Sequence, residues 1–171
     1  RDVFMGPLIN EASIQRFVNA IAEAKNAGGE VICGGCILSN EEFAKGYYVK
    51  PTVVTGLASN HRLFKDELFL PLLLVDEFAT FDEALAKAND TEYGLTAGIF
   101  SEDQREIEQF MDQIQFGVVY ANRRGGATTG AWPGAQTFVG WKASGATGRG
   151  VGGPNYLLNF VREQSRTIAS E

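Results

Sequence analysis

Apolar side chains recur at helical spacing near the start of the chain, at Ile14, Phe17, Val18, Ile21 and Ala22. Asn10 precedes this run and suits an N-cap, because its side chain can accept a hydrogen bond from an unpaired backbone N–H group. Two glycines at residues 28–29 follow the run and favour a helix end. The pattern therefore predicts one amphipathic helix between these two signals.

Further along the chain, short apolar runs alternate with helical patterns. Apolar runs of strand length occur at residues 31–33, 51–55, 72–78, 95–100 and 118–121. Two capping boxes open the predicted helices, Thr80-Phe-Asp-Glu83 and Ser101-Glu-Asp-Gln104. The second helix carries an apolar face formed by Ile107, Phe110, Met111 and Ile114. Strands that alternate with helices over short connections predict an α/β fold with a mostly parallel sheet and flanking helices.

A glycine-rich segment, TGAWPGAQTFVGWKASG at residues 129–145, follows the last of these strands. It also carries three large aromatic residues, Trp132, Phe138 and Trp141. The segment comes shortly after the carboxyl end of the predicted strand 118–121, and ligands of parallel sheets gather outside such ends. Two interpretations stay open: an irregular connection that crosses the core, or a ligand site where glycines let the backbone approach a small molecule.

The charge distribution favours the ligand interpretation. The chain of 171 residues has a net charge of −6, which argues against nucleic acid or an anionic membrane surface as its partner. No acidic residue lies between Asp112 and Glu163, whereas this stretch contains Arg123, Arg124, Lys142, Arg149 and Arg162. Half of the 20 glycines fall between Gly125 and Gly153. Such a stretch in an acidic chain is typical of an anion-binding segment. The alternative interpretation is a basic surface that is only solvated.

Signals for catalysis or metal binding are few. Cys33-Gly-Gly-Cys36 has the spacing of a zinc or redox pair, but no second pair accompanies it and His61 is distant in sequence. The first cysteine ends a predicted strand rather than beginning a helix, so we expect structural cysteines, no metal site and no catalytic residue. Glu67, just ahead of an apolar strand, could accept hydrogen bonds from ligand hydroxyls, although an exposed acid is the simpler interpretation of this residue alone.

The sequence carries no membrane or export signal. The longest apolar run, residues 68–75, has the length of a strand rather than of a membrane-spanning helix. No signal peptide opens the sequence, and we expect a cytoplasmic protein. No complete nucleotide-binding motif occurs either, so any nucleotide site would be shared with other polypeptide.

Several ordered motifs resemble the C-terminal part of the NAD(P)-dependent aldehyde dehydrogenases. The similar stretches are MGPLIN at residues 5–10, CGG at 33–35, GYYVKPTVV at 46–54, DELFLP at 66–71, ANDTEYGLTAGIFS at 88–101 and FVGWKASG at 138–145. Within this family, TGAWPGAQTF followed by GGPNYLLNF at residues 152–160 is most similar to the 1-pyrroline-5-carboxylate dehydrogenases. This branch oxidises L-glutamate γ-semialdehyde with NAD in proline catabolism.

The resemblance implies roles for five residues. The branch anchors the amino-acid end of its substrate through backbone amides of a loop, and the matching Gly130 and Ala131 would bind the substrate carboxylate. Phe138 would pack against the aliphatic stem of the substrate. Glu67 would hydrogen-bond the ribose next to the nicotinamide, and Phe69 would pack near the nicotinamide ring.

The same resemblance implies the domain organisation and the partners. Residues 1–153 would be the C-terminal part of the catalytic domain, with a substrate-anchor loop at residues 125–145, and residues 154–171 would be an oligomerisation strand and tail. The apolar run 156–161 would pair the subunits of a homo-oligomer. NAD, or NADP, would be bound mainly by a domain outside these residues, and the substrate would be a small aldehyde with a carboxylate.

The resemblance also implies that essential parts of the enzyme lie elsewhere. The family's nucleophilic cysteine, general-base glutamate and dinucleotide-binding domain all precede the region that this chain matches. Its reaction proceeds by thiolate attack, hydride transfer to NAD and thioester hydrolysis, so we expect a fragment that is inactive alone. Two residues depart from the family, since Leu70 and Val139 stand where it usually has glycine. A positive φ at either position would strain the backbone.

Two other functions stay open on this evidence. The first is another aldehyde dehydrogenase, one that acts on uncharged aldehydes and does not use Gly130 or Ala131 for charge selection. The second is a short, non-catalytic oligomerisation or binding module that meets its partner through the C-terminal apolar run.

Overall fold

The computed structural model describes residues 5–124, 131, 134–146 and 149–170. The chain divides into two compact units, Arg1–Ala79 and Thr80–Glu171. Each has its own apolar core, which includes Phe17 in the first unit and Phe110 in the second. The predicted boundary after residue 153 separates a catalytic from an oligomerisation region, and it stays a prediction beside this structural division. Within the described residues, none of the helices combines the length and apolar character needed to cross a membrane.

The first unit packs one helix on a small mixed sheet. In chain order its elements are α1 (Glu11–Asn26), β1 (Glu30–Cys33), β2 (Ile37–Leu38), β3 (Tyr48–Val49), β4 (Thr52–Thr55), a 3₁₀-helix (Arg62–Phe64) and β5 (Leu72–Leu74). The sheet has the order β1–β4–β5, with β1 antiparallel and β5 parallel to β4. β5 is an edge strand of this sheet and Leu73 is 59% exposed, so the apolar run at residues 72–78 forms a short strand that is not fully buried.

Helix α1 begins and ends close to the predicted signals. The Asn10 side chain accepts a hydrogen bond of 2.9 Å from the Ser13 N–H group, which satisfies a donor that the helix leaves unpaired. Val18 and Ala22, predicted on the buried face, are exposed instead. Ser13 can take a buried position because its hydroxyl donates a 3.0 Å hydrogen bond to the Asn10 side chain. The buried face consists of Ser13, Phe17, Ala20, Ile21 and Ala24.

The second unit contains a strand–helix–strand crossover. Its elements are α2 (Phe81–Asn89), β6 (Tyr93–Gly94), β7 (Thr96–Ile99), α3 (Gln104–Gln113), β8 (Val118–Ala121), β9 (Trp141–Lys142) and a C-terminal 3₁₀-helix (Tyr156–Asn159). β7 and β8 are parallel neighbours, because α3 carries the chain back between them. β6 and β9 form an antiparallel pair. The core of this unit is formed by Leu85, Ile99, Phe110 and Ile114.

The α/β class is confirmed, but the strand pairing is mixed rather than mostly parallel. Among the described residues, β4–β5 and β7–β8 are parallel, whereas the other three pairs are antiparallel. Residues 30–55 fold back on themselves as nested pairs, with β1–β4 enclosing β2–β3. Such folding back needs no helical crossover, and alternation of strands and helices along the chain does not reveal it.

The first predicted helix start is confirmed at Thr80, but the second helix starts later than predicted. Thr80 caps α2 as predicted, since its hydroxyl oxygen accepts a backbone N–H at 3.2 Å. Helix α3 begins after Asp103 instead, whose carboxylate accepts the Arg105 N–H at 2.8 Å. Ser101 supports the turn ahead of the helix by accepting the Asp103 N–H and donating to Glu106. Hydrogen bonds from the Arg105 side chain and backbone lower the pKa of the Asp103 carboxyl group.

The predicted C-terminal strand is absent from the single chain. Tyr156–Asn159 form the 3₁₀-helix instead, and no strand follows within residues 160–170. A strand needs a neighbour that pairs with its backbone N–H and carbonyl groups, and the described residues provide none at this position. The apolar side chains of the segment stay exposed, at 73% for Leu157 and 70% for Phe160.

Glycines let residues 138–145 approach the neighbouring backbone closely. A Cβ atom at Gly117 would lie 1.9 Å from the Val139 carbonyl oxygen. A Cβ atom at Gly145 would lie 1.8 Å from the Gly140 carbonyl oxygen. No side chain fits at either position, so these glycines are required by packing between backbones.

Gly117→Ala is expected to lower the free energy of unfolding by about 1–3 kcal/mol or more, since the added methyl group would overlap a backbone oxygen. Gly6→Ala is the matched control, because a Cβ atom there would meet nothing within 4 Å. Its effect should stay below about 1 kcal/mol. Urea unfolding followed by circular dichroism measures both variants, and equal stabilities would contradict the close approach of Val139.

Candidate functional site

A non-glycine residue in the left-handed region precedes the predicted anchor loop. Asn122 directly follows β8 and has a φ of 54°, which few residues other than asparagine and aspartate adopt. Its side chain accepts the Ser101 N–H at 3.0 Å and donates to the Ser101 carbonyl at 2.8 Å. Its own N–H donates to the Ile99 carbonyl at 2.8 Å. The chain therefore enters the loop at a fixed place beyond the carboxyl ends of β7 and β8.

The predicted substrate-binding residues lie along this loop. Gly130 and Trp132 are outside the described residues. Ala131 is buried, with 6% of its surface exposed. Phe138 keeps 37% of its surface exposed and forms an antiparallel bridge with Val151 through hydrogen bonds of 3.0 and 2.9 Å. The bridge fixes the backbone of Phe138 and leaves part of its side chain available for a contact.

A second left-handed residue, Lys142, lies near the end of the loop and has a φ of 51°. It belongs to β9, where it pairs with Tyr93 of β6. Its ammonium group donates to the carbonyls of Asn89 at 2.7 Å and Thr91 at 3.1 Å, and lies 5.4 Å from the centroid of the Phe116 ring. Lys142 therefore ties the loop to the C-terminal end of α2, where carbonyl groups lack partners within the helix.

Asn89 and Ser144 add further hydrogen bonds around the same turn. The Asn89 side chain accepts the Gln115 N–H at 2.8 Å and donates to the Gln113 carbonyl at 2.9 Å. The Ser144 hydroxyl accepts the Gly94 N–H at 3.0 Å. The turn between α2 and β6 is thus bonded both to the end of α3 and to the end of the anchor loop.

Part of the basic charge in this region binds backbone carbonyls of the unit. Besides Lys142, Arg149 donates to the Leu158 carbonyl at 3.2 Å. The sequence singled out both residues as candidates for an anion site, but in the structure each fixes a backbone segment. A count of basic residues cannot distinguish a cation that binds a carbonyl from one that binds an anion, so this role of Lys142 was missed.

The predicted cofactor-binding residues lie on the loop between the first 3₁₀-helix and β5. Glu67 is exposed, and among the described residues it has no hydrogen-bond or ion-pair partner. Phe69 is 80% exposed and has a φ of 54°, a strained conformation of the kind that clusters at ligand sites. A free carboxylate and an exposed aromatic ring so close in sequence can bind hydroxyl groups and pack against a planar ring.

Two arginines hold this loop. Arg16 of α1 donates to the Leu68 carbonyl at 2.9 Å, midway through the loop. Arg62 donates to Glu23 and, at 2.5 Å, to Asp66 at the start of the loop. The hydrogen bonds to Glu23 and Asp66 raise the pKa of the Arg62 guanidinium group. No local sequence pattern reveals the Arg16 bond, because it joins positions 52 residues apart.

The two departures from the resembled family do not strain the backbone. Among the described residues other than glycine, positive φ angles occur only at Phe69, Asn122 and Lys142, so Leu70 and Val139 avoid this region. Leu70 adds apolar surface to a shallow groove of about 250 Å³ beside the loop. The groove is lined by Leu63, Phe64, Asp66, Leu68, Phe69, Leu70, Leu72 and Leu74.

The two groups of predicted site residues belong to different compact units. Glu67 and Phe69 lie in the first unit, whereas Ala131 and Phe138 lie in the second.

The two cysteines, Cys33 and Cys36, are exposed free thiols. Within the part of the chain that the structure describes, no three His, Cys, Asp or Glu side chains group as metal ligands.

Comparison with known proteins points to one enzyme family. Residues 1–165 match the aldehyde dehydrogenase family. The chain is 36% identical over 168 residues to 1-pyrroline-5-carboxylate dehydrogenase 2 of Bacillus subtilis (strain 168), which covers 98% of this chain and 30% of that protein. It is 37% identical over 164 residues to 2,5-dioxopentanoate dehydrogenase of Saccharolobus solfataricus, which covers 96% of this chain and 33% of that protein.

The fold agrees with this similarity. The structure of betaine aldehyde dehydrogenase from Staphylococcus aureus in complex with NAD+ matches with a TM-score of 0.82 at 28% identity, covering 93% of this chain and 30% of that chain. The chain thus spans about a third of the length of the curated relatives named here. By its motifs, its fold and its similarity over nearly all of its length, the chain belongs to the aldehyde dehydrogenase family.

Proposed function

We propose that the chain is the substrate-side part of a dehydrogenase that oxidises L-glutamate γ-semialdehyde to L-glutamate with NAD. The observation that carries the proposal is the similarity to a 1-pyrroline-5-carboxylate dehydrogenase over 98% of the chain. The substrate in the name of the second relative, 2,5-dioxopentanoate, is also a carboxylate. Both similarities favour a small aldehyde that carries a negative charge.

The anchor loop would bind the amino-acid end of this substrate. The N–H groups of Gly130 and Ala131 would donate to the carboxylate, and Phe138 would pack against the aliphatic stem. Ala131 is buried, so water would be kept from these charge-assisted hydrogen bonds and they would be strong. Because no acidic residue lies between Asp112 and Glu163, no carboxylate of this stretch would repel the anion.

Two residues of the first unit suit a nicotinamide nucleotide. The exposed Glu67 carboxylate can accept hydrogen bonds from ribose hydroxyls, and the exposed Phe69 ring can pack near the nicotinamide. Bound NAD, or NADP, supplies the hydride acceptor. The Arg16 and Arg62 hydrogen bonds would keep both side chains in place for this contact.

The chain would orient the reactants but would not carry out the covalent step. It spans about a third of its relatives, and the family's nucleophilic cysteine and general-base glutamate would come from polypeptide outside residues 1–171. The exposed thiols Cys33 and Cys36 lie by β1 and β2 of the first unit and would take no part in the reaction.

Residues 156–161 would pair with another subunit in a homo-oligomer. Leu157, Phe160 and Val161 are 73%, 70% and 60% exposed, and an apolar run of this kind is normally covered. Pairing with a second chain would supply the backbone partners that a strand needs.

The substrate assignment predicts strong selection for charge. A dehydrogenase that contains this chain should have a kcat/KM for L-glutamate γ-semialdehyde about 100-fold above that for propanal, because two charge-assisted hydrogen bonds are lost with the uncharged aldehyde. NADH formation measured at 340 nm tests this, with the 171-residue chain alone as the inactive control. Equal or better turnover of propanal would contradict the carboxylate anchor and favour a dehydrogenase for uncharged aldehydes.

The cofactor assignment predicts a separate effect of Arg16. In the same enzyme, Arg16→Met should raise the KM for NAD about 3- to 10-fold with little change in kcat, since one charged hydrogen bond to the Glu67–Phe69 loop is lost. Lys25→Met is the matched control, because Lys25 is exposed on the same helix and has no side-chain hydrogen bond among the described residues. An unchanged KM for NAD in the Arg16 variant would argue against a cofactor role of this loop.

A further inference from the structure

We propose that Leu70 is a positioning residue for the cofactor, because its side chain packs on the core of the first unit and so keeps the exposed Phe69 ring where the nicotinamide would pack. The inference rests on the proposed function and adds one residue to it. Leu70 acts through Phe69, its neighbour in the chain.

Phe69 is held in an unfavourable state. Its φ is 54° and its surface is 80% exposed. A positive φ is unfavourable for a residue with a Cβ atom, and an exposed aromatic ring forgoes the free energy of burial. Within the described residues, Phe69 makes no hydrogen bond that would hold it. Its conformation is therefore imposed through its neighbours in the chain.

Hydrogen bonds fix the chain on either side of Phe69 but not at Phe69 itself. Arg16 donates to the Leu68 carbonyl at 2.9 Å. The Pro71 carbonyl accepts the N–H of the buried Thr52 at 2.9 Å. These two bonds leave the backbone angles of the two residues between them undetermined, so a further contact has to select the observed path.

The Leu70 side chain supplies this contact. It is partly buried and packs against the apolar core of the first unit. The Leu70 carbonyl also accepts the Leu72 N–H at 2.8 Å. A residue fixed through both its side chain and its carbonyl restricts the rotation of the residue before it, and this leaves the Phe69 ring on the solvent side.

A smaller side chain at position 70 would remove this restriction. Phe69 would relax to an ordinary backbone conformation, and its ring would fold onto the apolar groove that it lines together with Leu68 and Leu72. The cofactor would then have to lift the ring out of the groove before contact. Leu70 thus prepays part of the ordering that nicotinamide binding requires.

The test measures equilibrium binding by calorimetry in the dehydrogenase that contains this chain. Leu70→Ala should raise the Kd for NAD about 3- to 10-fold, the value of one aromatic contact. The Kd for ADP-ribose, which keeps both ribose rings but lacks the nicotinamide, should stay within about twofold. Leu70→Met keeps most of the apolar volume and should bind NAD within about twofold of the unmodified enzyme.

Leu8→Ala is the matched control, because Leu8 is also a partly buried leucine that packs against the same core but lies ahead of α1. It should lower the urea midpoint of unfolding as Leu70→Ala does and leave the Kd for NAD within about twofold. Leu70→Val removes less volume, so it carries the same comparison if Leu70→Ala does not fold.

Phe69→Gly separates this inference from the proposed cofactor site, because glycine accepts the left-handed conformation and removes the ring. It should weaken NAD binding as Leu70→Ala does, and combining the two changes should add nothing further. If Phe69→Gly weakens NAD binding but Leu70→Ala does not, or if Leu70→Ala weakens NAD and ADP-ribose equally, the positioning role is overturned. Unchanged NAD binding in Phe69→Gly would overturn the cofactor contact itself, and the inference with it.

Discussion

The architecture of the second unit depends on how closely its backbone segments approach one another near Gly117. The Val139 carbonyl occupies the space that a side chain would fill there. This approach brings β9 alongside β6, and it leads the chain into the pairing that places Lys142 next to the end of α2. A high glycine content often indicates a flexible segment. Here glycine is required because the backbone segments pack too closely for a side chain to fit between them.

Basic side chains and backbone N–H groups would have distinct roles in the stretch between Asp112 and Glu163, which contains no acidic residue. Lys142 and Arg149 bind backbone carbonyls and so fix the path of the chain. The negative charge of a substrate would instead be met by backbone N–H groups of the loop, in a stretch where no carboxylate competes. In the proposed site the ligand would therefore be bound by backbone amides rather than by these basic side chains.

The sequence predicted features that neighbouring residues determine and missed those that distant residues determine. Asn10 and Thr80 mark helix starts because each caps a donor within its own first turn. The start of α3 was misplaced because serine and aspartate are both good caps and stand two residues apart ahead of it.

Long-range and intermolecular features could not be predicted locally. The antiparallel pairing of β1 with β4 and the Arg16–Leu68 hydrogen bond depend on residues far apart in the chain. The run 156–161 has strand-forming side chains, but a strand there requires a pairing partner that the described residues do not provide. Of the candidate site residues, Glu67, Phe69, Ala131 and Phe138 were identified from ordered sequence motifs. Arg16, Asn122 and Lys142 were recognised only from their contacts in the folded structure.

The central claim, that the loop binds the α-carboxylate, can be tested with inhibition constants measured against the aldehyde in the dehydrogenase that contains this chain. L-Glutamate and 4-aminobutanoate differ only by that carboxylate. Anchoring by the loop predicts that 4-aminobutanoate inhibits about 100-fold more weakly than L-glutamate. Equal inhibition constants would show that the α-carboxylate is not bound and would contradict the claim.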